Sequence, residues 1–172
     1  KDASRETIPE EYPIKRRHTT VQRLRMVKDS HLRNFTVINA ATCTGAVSFK
    51  YADQCSAQNI RVEIPAVADS YCPFSINWSK HVRCLGCSTT FDEELAASLK
   101  PIAAEGFKAY SRYNLFCIFA SFGCGFEQCE SDFSTHAFNI TAGRVGHIPC
   151  VGCYVRNCRA SNALWAGVIV QQ

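Results

Sequence analysis

The sequence predicts a mainly β fold: a small disulfide-rich β domain with one short helix and an extended N-terminal arm. Three observations lead there. Eleven of 172 residues are cysteine. Short apolar runs alternate with polar residues or are broken by turn residues. The basic excess is confined to positions 1–33.

The arm, residues 1–33, contains no cysteine and carries nine Lys/Arg against five Asp/Glu, which accounts for the whole net charge of +4. Such a segment is expected to be flexible and solvated. Lys15-Arg16-Arg17 is a candidate processing site, with cleavage after Arg17, a contact for acidic partners, or solvated charge. The opening Lys1-Asp2-Ala3-Ser4-Arg5 lacks an apolar region behind it, so the chain reads as a mature form. The longest near-apolar run, 163–170, has eight residues, and a membrane helix needs about 20. The remaining residues are neutral overall, without the basic face a nucleic-acid reader carries, so no nucleic-acid partner is expected.

Residues 34–172 form the predicted domain. Ile60, Val62 and Ile64 alternate with Arg61 and Glu63, the period of a half-buried strand. Val37, Ile38, Val47, Phe49 and Tyr51 fall in similar short runs. Residues 115–122 (LFCIFASF) are apolar and aromatic, as in a buried strand, and Phe138 and Ile140 alternate around Asn139. Residues 145–151 and 163–170 complete the set. Thr90-Phe91-Asp92-Glu93 matches a capping box, and Leu95, Ala96 and Leu99 recur at helical spacing, which predicts a helix over 92–100 ended by Pro101. No internal repeat is evident beyond one echo, Cys84-Leu85-Gly86-Cys87 against Cys150-Val151-Gly152-Cys153.

The cysteines stand at Cys43, Cys55, Cys72, Cys84, Cys87, Cys117, Cys124, Cys129, Cys150, Cys153 and Cys158. Two Cys-x-x-Cys knuckles could supply four thiolates to zinc, but the segment between them, 88–149, is far longer than a zinc ribbon allows. A redox pair would open a helix, and neither copy does. A structural framework is the reading that remains, and no metal or cofactor is expected. A glycine before a half-cystine gives the backbone access to φ > 0. Three sequons, at Asn34, Asn77 and Asn139, join the cysteines in pointing to a secreted, glycosylated chain in an oxidising compartment. The odd cysteine would be free or would bridge two chains as a disulfide-linked homodimer; Cys43, Cys129 and Cys158 are the candidates. The sequence contains no Gly-x-Ser-x-Gly elbow, His-Glu-x-x-His pair or Gly-rich phosphate loop, so a binding protein rather than an enzyme is expected.

Arg83-Cys84-Leu85-Gly86-Cys87, then Cys117 beyond the segment 88–116, then Ile148-Pro149-Cys150-Val151-Gly152-Cys153-Tyr154-Val155, resembles the cysteine pattern of the interleukin-17 cytokines. The family's last cysteine falls at Val155 here, and its Leu-Arg-Arg run is absent. The resemblance implies a cystine-knot-like β fold with Cys87 and Cys153 paired across the core. It also implies a secreted dimeric ligand for a cell-surface protein receptor. Trp78, Tyr110 and Tyr113 would then be the receptor-binding aromatics, since Tyr and Trp dominate interface hot spots. The alternatives are an ectodomain of a viral or cell-surface glycoprotein that binds protein, or a secreted hydrolase or inhibitor.

Overall fold

The computed structural model describes residues 25–38, 45–64, 72–91, 114–142 and 148–171, apart from the side chains at positions 133, 135, 164 and 165. Among these residues, thirteen strands run in the order β1 (Val27–Lys28), β2 (His31–Ile38), β3 (Val47–Lys50), β4 (Ala52–Asp53), β5 (Ser56–Ile64), β6 (Phe74–Asn77), β7 (Arg83–Leu85), β8 (Ser88–Phe91), β9 (Asn114–Phe119), β10 (Gly125–Glu127), β11 (Glu130–Thr141), β12 (Tyr154–Arg156) and β13 (Arg159–Gln171). Every strand pair is parallel. The chain winds as a parallel β-solenoid in which each coil lies in register on the one before. This corrects the expected cystine-knot-like domain. The predicted helix over 92–100 lies outside the described residues, and no helix occurs among those that are described.

Equivalent positions recur at a spacing of 27 between the second and third coils, as in Arg61 opposite Ser88 and Val47 opposite Phe74. The spacing is 42 from Phe74 to Phe116, 22 from Phe116 to Phe138 and 30 from Phe138 to Val168. An internal repeat therefore exists, contrary to the sequence reading, with insertions between coils that hide its period. Residues 27–33, assigned to the arm, belong to the first coil: β1 pairs with β4 and β2 with β5.

The core is a set of vertical columns. Val47, Phe74, Phe116 and Phe138 stack through four coils, with Phe74 and Phe116 rings parallel at 4.7 Å and Phe116 and Phe138 at 5.0 Å. Phe126 meets Phe116 edge-on at 5.2 Å from the adjoining face. Phe49, Ile76, Ile118 and Ile140 make a second buried column two residues along. Ile60, Val62 and Ile64 point inward while Arg61 and Glu63 point out, as their alternation predicts. Residues 115–118 are fully buried in β9, as expected. Val168 and Val170 continue the two core columns into β13, where both are exposed because no coil of the described residues lies beyond them.

Of the solenoid's three corners, marked by positive φ, two recur through five coils, and the third holds Tyr51, Trp78 and Ala120. One column of corners holds Asp29, Gln54, His81, Gly123 and Gly152. The other holds Asn34, Asn59, Gly86, Gln128 and Asn157. Asn, Asp and Gly tolerate this conformation best, which explains their recurrence. Asn59 Nδ2 donates to Asn34 Oδ1 at 3.1 Å, joining the first two coils on this column. Asp53, buried, ties three coils together: its Oδ2 lies 3.1 Å from Lys80 Nζ and 3.9 Å from Lys28 Nζ.

His136 is buried in β11, and burial holds its pKa below the usual histidine range. The unfolded chain then binds a proton near pH 6.5 that the folded chain does not. His136 thus contributes stability above that pH, and the contribution is lost as pH falls through the unfolded value toward the folded one. The melting temperature should drop between pH 7.5 and 5.5, and His136→Gln should flatten that part of the profile in a thermal scan.

Candidate ligand-binding face

A long outward face is built where β5, β8, β11 and β13 stack. Register places Arg61, Ser88, Glu130 and Arg159 in one outward column. Two residues further along each strand, Glu63, Thr90, Asp132 and Ser161 form the next. Strand alternation sends both columns to solvent, while Val62, Thr89 and Ser131 between them point inward. A cavity of about 290 Å³ opens here, lined only by polar and charged residues, among them Arg61, Ser88, Thr90, Glu130, Asp132 and Arg159.

Side chains on this face hold one another in place. Arg61 Nε donates to Thr90 Oγ1 at 3.2 Å and lies 3.3 Å from Glu63 Oε1. Asn162 Nδ2 donates to Asp132 Oδ1 at 2.8 Å. The buried hydroxyls of Thr89 and Ser131, also among the lining residues, have no hydrogen-bond partner among the described residues. Two carboxylates, Glu130 and Asp132, share one face of one strand, so their Cα atoms are about 6.6 Å apart at the usual rise per residue. Arg61 and Arg159 lie on the same face, in the same column as Glu130. Such a cleft offers both donors and acceptors over a short distance, the chemistry that recognises hydroxyl-rich ligands.

Cys55, Cys87, Cys124, Cys129, Cys153 and Cys158 each follow a positive-φ corner residue, whereas Cys84 and Cys117 lie within β7 and β9; the arrangement is not that of a knot. No disulfide is found among the described residues. Cys87, Cys129 and Cys158 stack in one inward column, and Cys124 and Cys153 stack in another. Cys87 and Cys153, which the cytokine resemblance would join, therefore stand in different columns. The Cys129 thiol hydrogen-bonds toward Cys158 and Cys87, which raises its own pKa. It lowers Cys158 to about 7, and with Cys84 it lowers Cys87 to about 4. Cys153 hydrogen-bonds to Cys124 and lowers it, and Cys117 hydrogen-bonds to Cys72. Gly86 and Gly152 both have positive φ, as expected of glycines before these cysteines, but they sit in different corner columns, so the echo joins non-equivalent turns. No group of three or more His, Cys, Asp or Glu among the described residues could hold a metal.

The other predicted site residues are dispersed. Asn34 is exposed and Asn77 half-buried, whereas Asn139 is 6% exposed. Trp78 is half-buried at a corner with φ 52°. Arg17, Cys43, Tyr110 and Tyr113 lie outside the described residues. The Arg61–Arg159 face escaped the sequence reading because its members come from four separate strands. The signal was present in Glu130-Ser131-Asp132 and Arg159-Ala160-Ser161, which follow matching Gly-Cys-x-x-x-x-Cys stretches that begin at Gly123 and Gly152.

No family model matches the chain, and neither does any curated protein or solved structure. No helix among the described residues is long and apolar enough to cross a membrane.

Proposed function

We propose that the chain is part of an extracellular binding protein whose solenoid presents a polar cleft to an oligosaccharide. The observation that carries this reading is the cavity on the β5–β8–β11–β13 face, lined wholly by polar and charged groups in coil-to-coil register. Its volume sits at the lower end of small-ligand sites. Arg61 is already paired with Glu63, so Arg159 is the guanidinium that would take a carboxylate or sulfate on the sugar, in two-pronged fashion. Cysteine content and the exposed Asn34 sequon support an extracellular setting. The receptor-binding expectation came with a cystine-knot-like framework. What carries over to a solenoid is its broader part, a secreted protein that works by binding.

The test is a glycan array followed by titration calorimetry on the best neutral and acidic oligosaccharides. Arg159→Ala and Glu130→Gln should each weaken binding by about tenfold or more, the scale of a lost charge-assisted hydrogen bond. Binding unchanged in both variants, or no binding to any glycan, would overturn the proposal. A second reading rests on one observation, the Glu130–Asp132 pair. Two carboxylates side by side on one strand face are the kind of pair that glycoside hydrolysis uses as acid and base. Release of reducing ends from a bound glycan, abolished in Asp132→Asn, would move the assignment from binding to hydrolysis.

A further inference from the structure

Cys124 and Cys129 lie on one coil, and Cys153 and Cys158 lie directly above them on the next. The register is fixed by Gly125 opposite Tyr154 and Glu130 opposite Arg159. Parallel neighbours are about 4.8 Å apart, inside the Cα separation that a disulfide spans. The thiols already touch: Cys153 hydrogen-bonds to Cys124, and Cys129 to Cys158, whose Sγ also accepts the Cys129 N–H at 3.4 Å.

We propose that in an oxidising compartment these four residues close two parallel staples between the same two coils, Cys124–Cys153 and Cys129–Cys158. At each site two S–H bonds are lost and one S–S bond forms. Two protons leave, and the electron pair reduces a small-molecule disulfide, such as oxidised glutathione, to two thiols. The rival for Cys129 is Cys87 on the preceding coil, which also hydrogen-bonds to it. Pairing Cys129 with Cys87 would strand Cys84 and Cys158, whereas pairing it with Cys158 leaves Cys84 and Cys87 in hydrogen-bond contact with each other. Full pairing of the four-thiol cluster therefore favours Cys129–Cys158. Both staples lie beside the proposed cleft, since Glu130 and Arg159 immediately follow Cys129 and Cys158. They would fix the spacing of those two side chains.

The decisive experiment is disulfide mapping of the full chain refolded in a glutathione redox buffer, with remaining thiols blocked by N-ethylmaleimide at low pH. Trypsin isolates Cys158 in the tripeptide 157–159, Cys150 and Cys153 in 145–156, and Cys117, Cys124 and Cys129 in 113–144. A second cut after Glu127 separates Cys124 from Cys129, and fragmentation distinguishes Cys150 from Cys153. The expected result is 157–159 linked through Cys129 and 145–156 linked from Cys153 to Cys124. Peptide 84–108 linked to Cys129, Cys150 linked to Cys124 or to Cys153, or full alkylation of Cys124, Cys129, Cys153 and Cys158 would each overturn the proposal.

Discussion

Phe116→Ala is expected to lower the unfolding free energy by about 3–5 kcal/mol, the cost of truncating a buried aromatic ring. Phe116 is fully buried and touches three other rings: Phe74 below, Phe138 above and Phe126 from the side. Its removal does more than open a cavity. A solenoid coil contacts only its neighbours, so stability is close to a sum of coil and interface contributions. Phe116 sits at a middle coil, and weakening both of its interfaces uncouples the coils on either side. Urea denaturation should show the midpoint falling and the transition broadening or dividing. Val168→Ala, in the same column but exposed at the last described coil, should change stability by no more than about 0.5 kcal/mol. Equal effects of the two substitutions would contradict the column description.

Several local features were legible in the sequence, and the global arrangement was not. Alternation at 60–64 marked a strand with one buried side, and the apolar run at 115–118 marked a fully buried one; both are as expected. These signals depend only on which side of a strand meets the core. They do not distinguish an antiparallel domain from stacked parallel coils. That distinction lies in the spacing between equivalent residues, and differences in coil length vary it between 22, 27 and 42. Loops inserted at solenoid corners disturb the period without disturbing the stack.

The cystine-knot expectation failed for a related reason. Eleven in a chain with three sequons fit a cross-linked framework, and the resemblance then turned the framework into a knot. Cysteine is also a small apolar residue that packs well in tight places. In the corner columns it is interchangeable with other apolar residues: Ile60 precedes Cys87, Cys129 and Cys158 in one column, and Val82 lies between Cys55 and Cys124 in the other. The alignment of Gly123-Cys124 with Gly152-Cys153, and of Gln128-Cys129 with Asn157-Cys158, was the sequence's clearest trace of the coil. It became legible once each pair was read as a turn followed by an inward residue.

The corner column makes the second large prediction. Gly86→Val should cost about 2–4 kcal/mol, combining a β-branched residue in left-handed backbone with a steric clash. Gly86 has φ +62°, and a Cβ there would lie 2.7 Å from Asn59 Oδ1. Asn59 in turn donates to Asn34, so the clash would disturb two coils below the substitution as well as its own turn. Backbone conformation alone does not require glycine, because Asn59, Gln128 and Asn157 hold φ of 51–53° at equivalent positions with full side chains. Gly86→Asn isolates the steric part: it suits the left-handed turn yet still meets Asn59. It should cost less than Gly86→Val, and trimming the obstruction in Gly86→Asn/Asn59→Gly should recover part of the loss. Chemical denaturation of the three variants checks this directly. A double variant no more stable than Gly86→Asn would mean that the strain resides in the turn itself and not in the stacked neighbour.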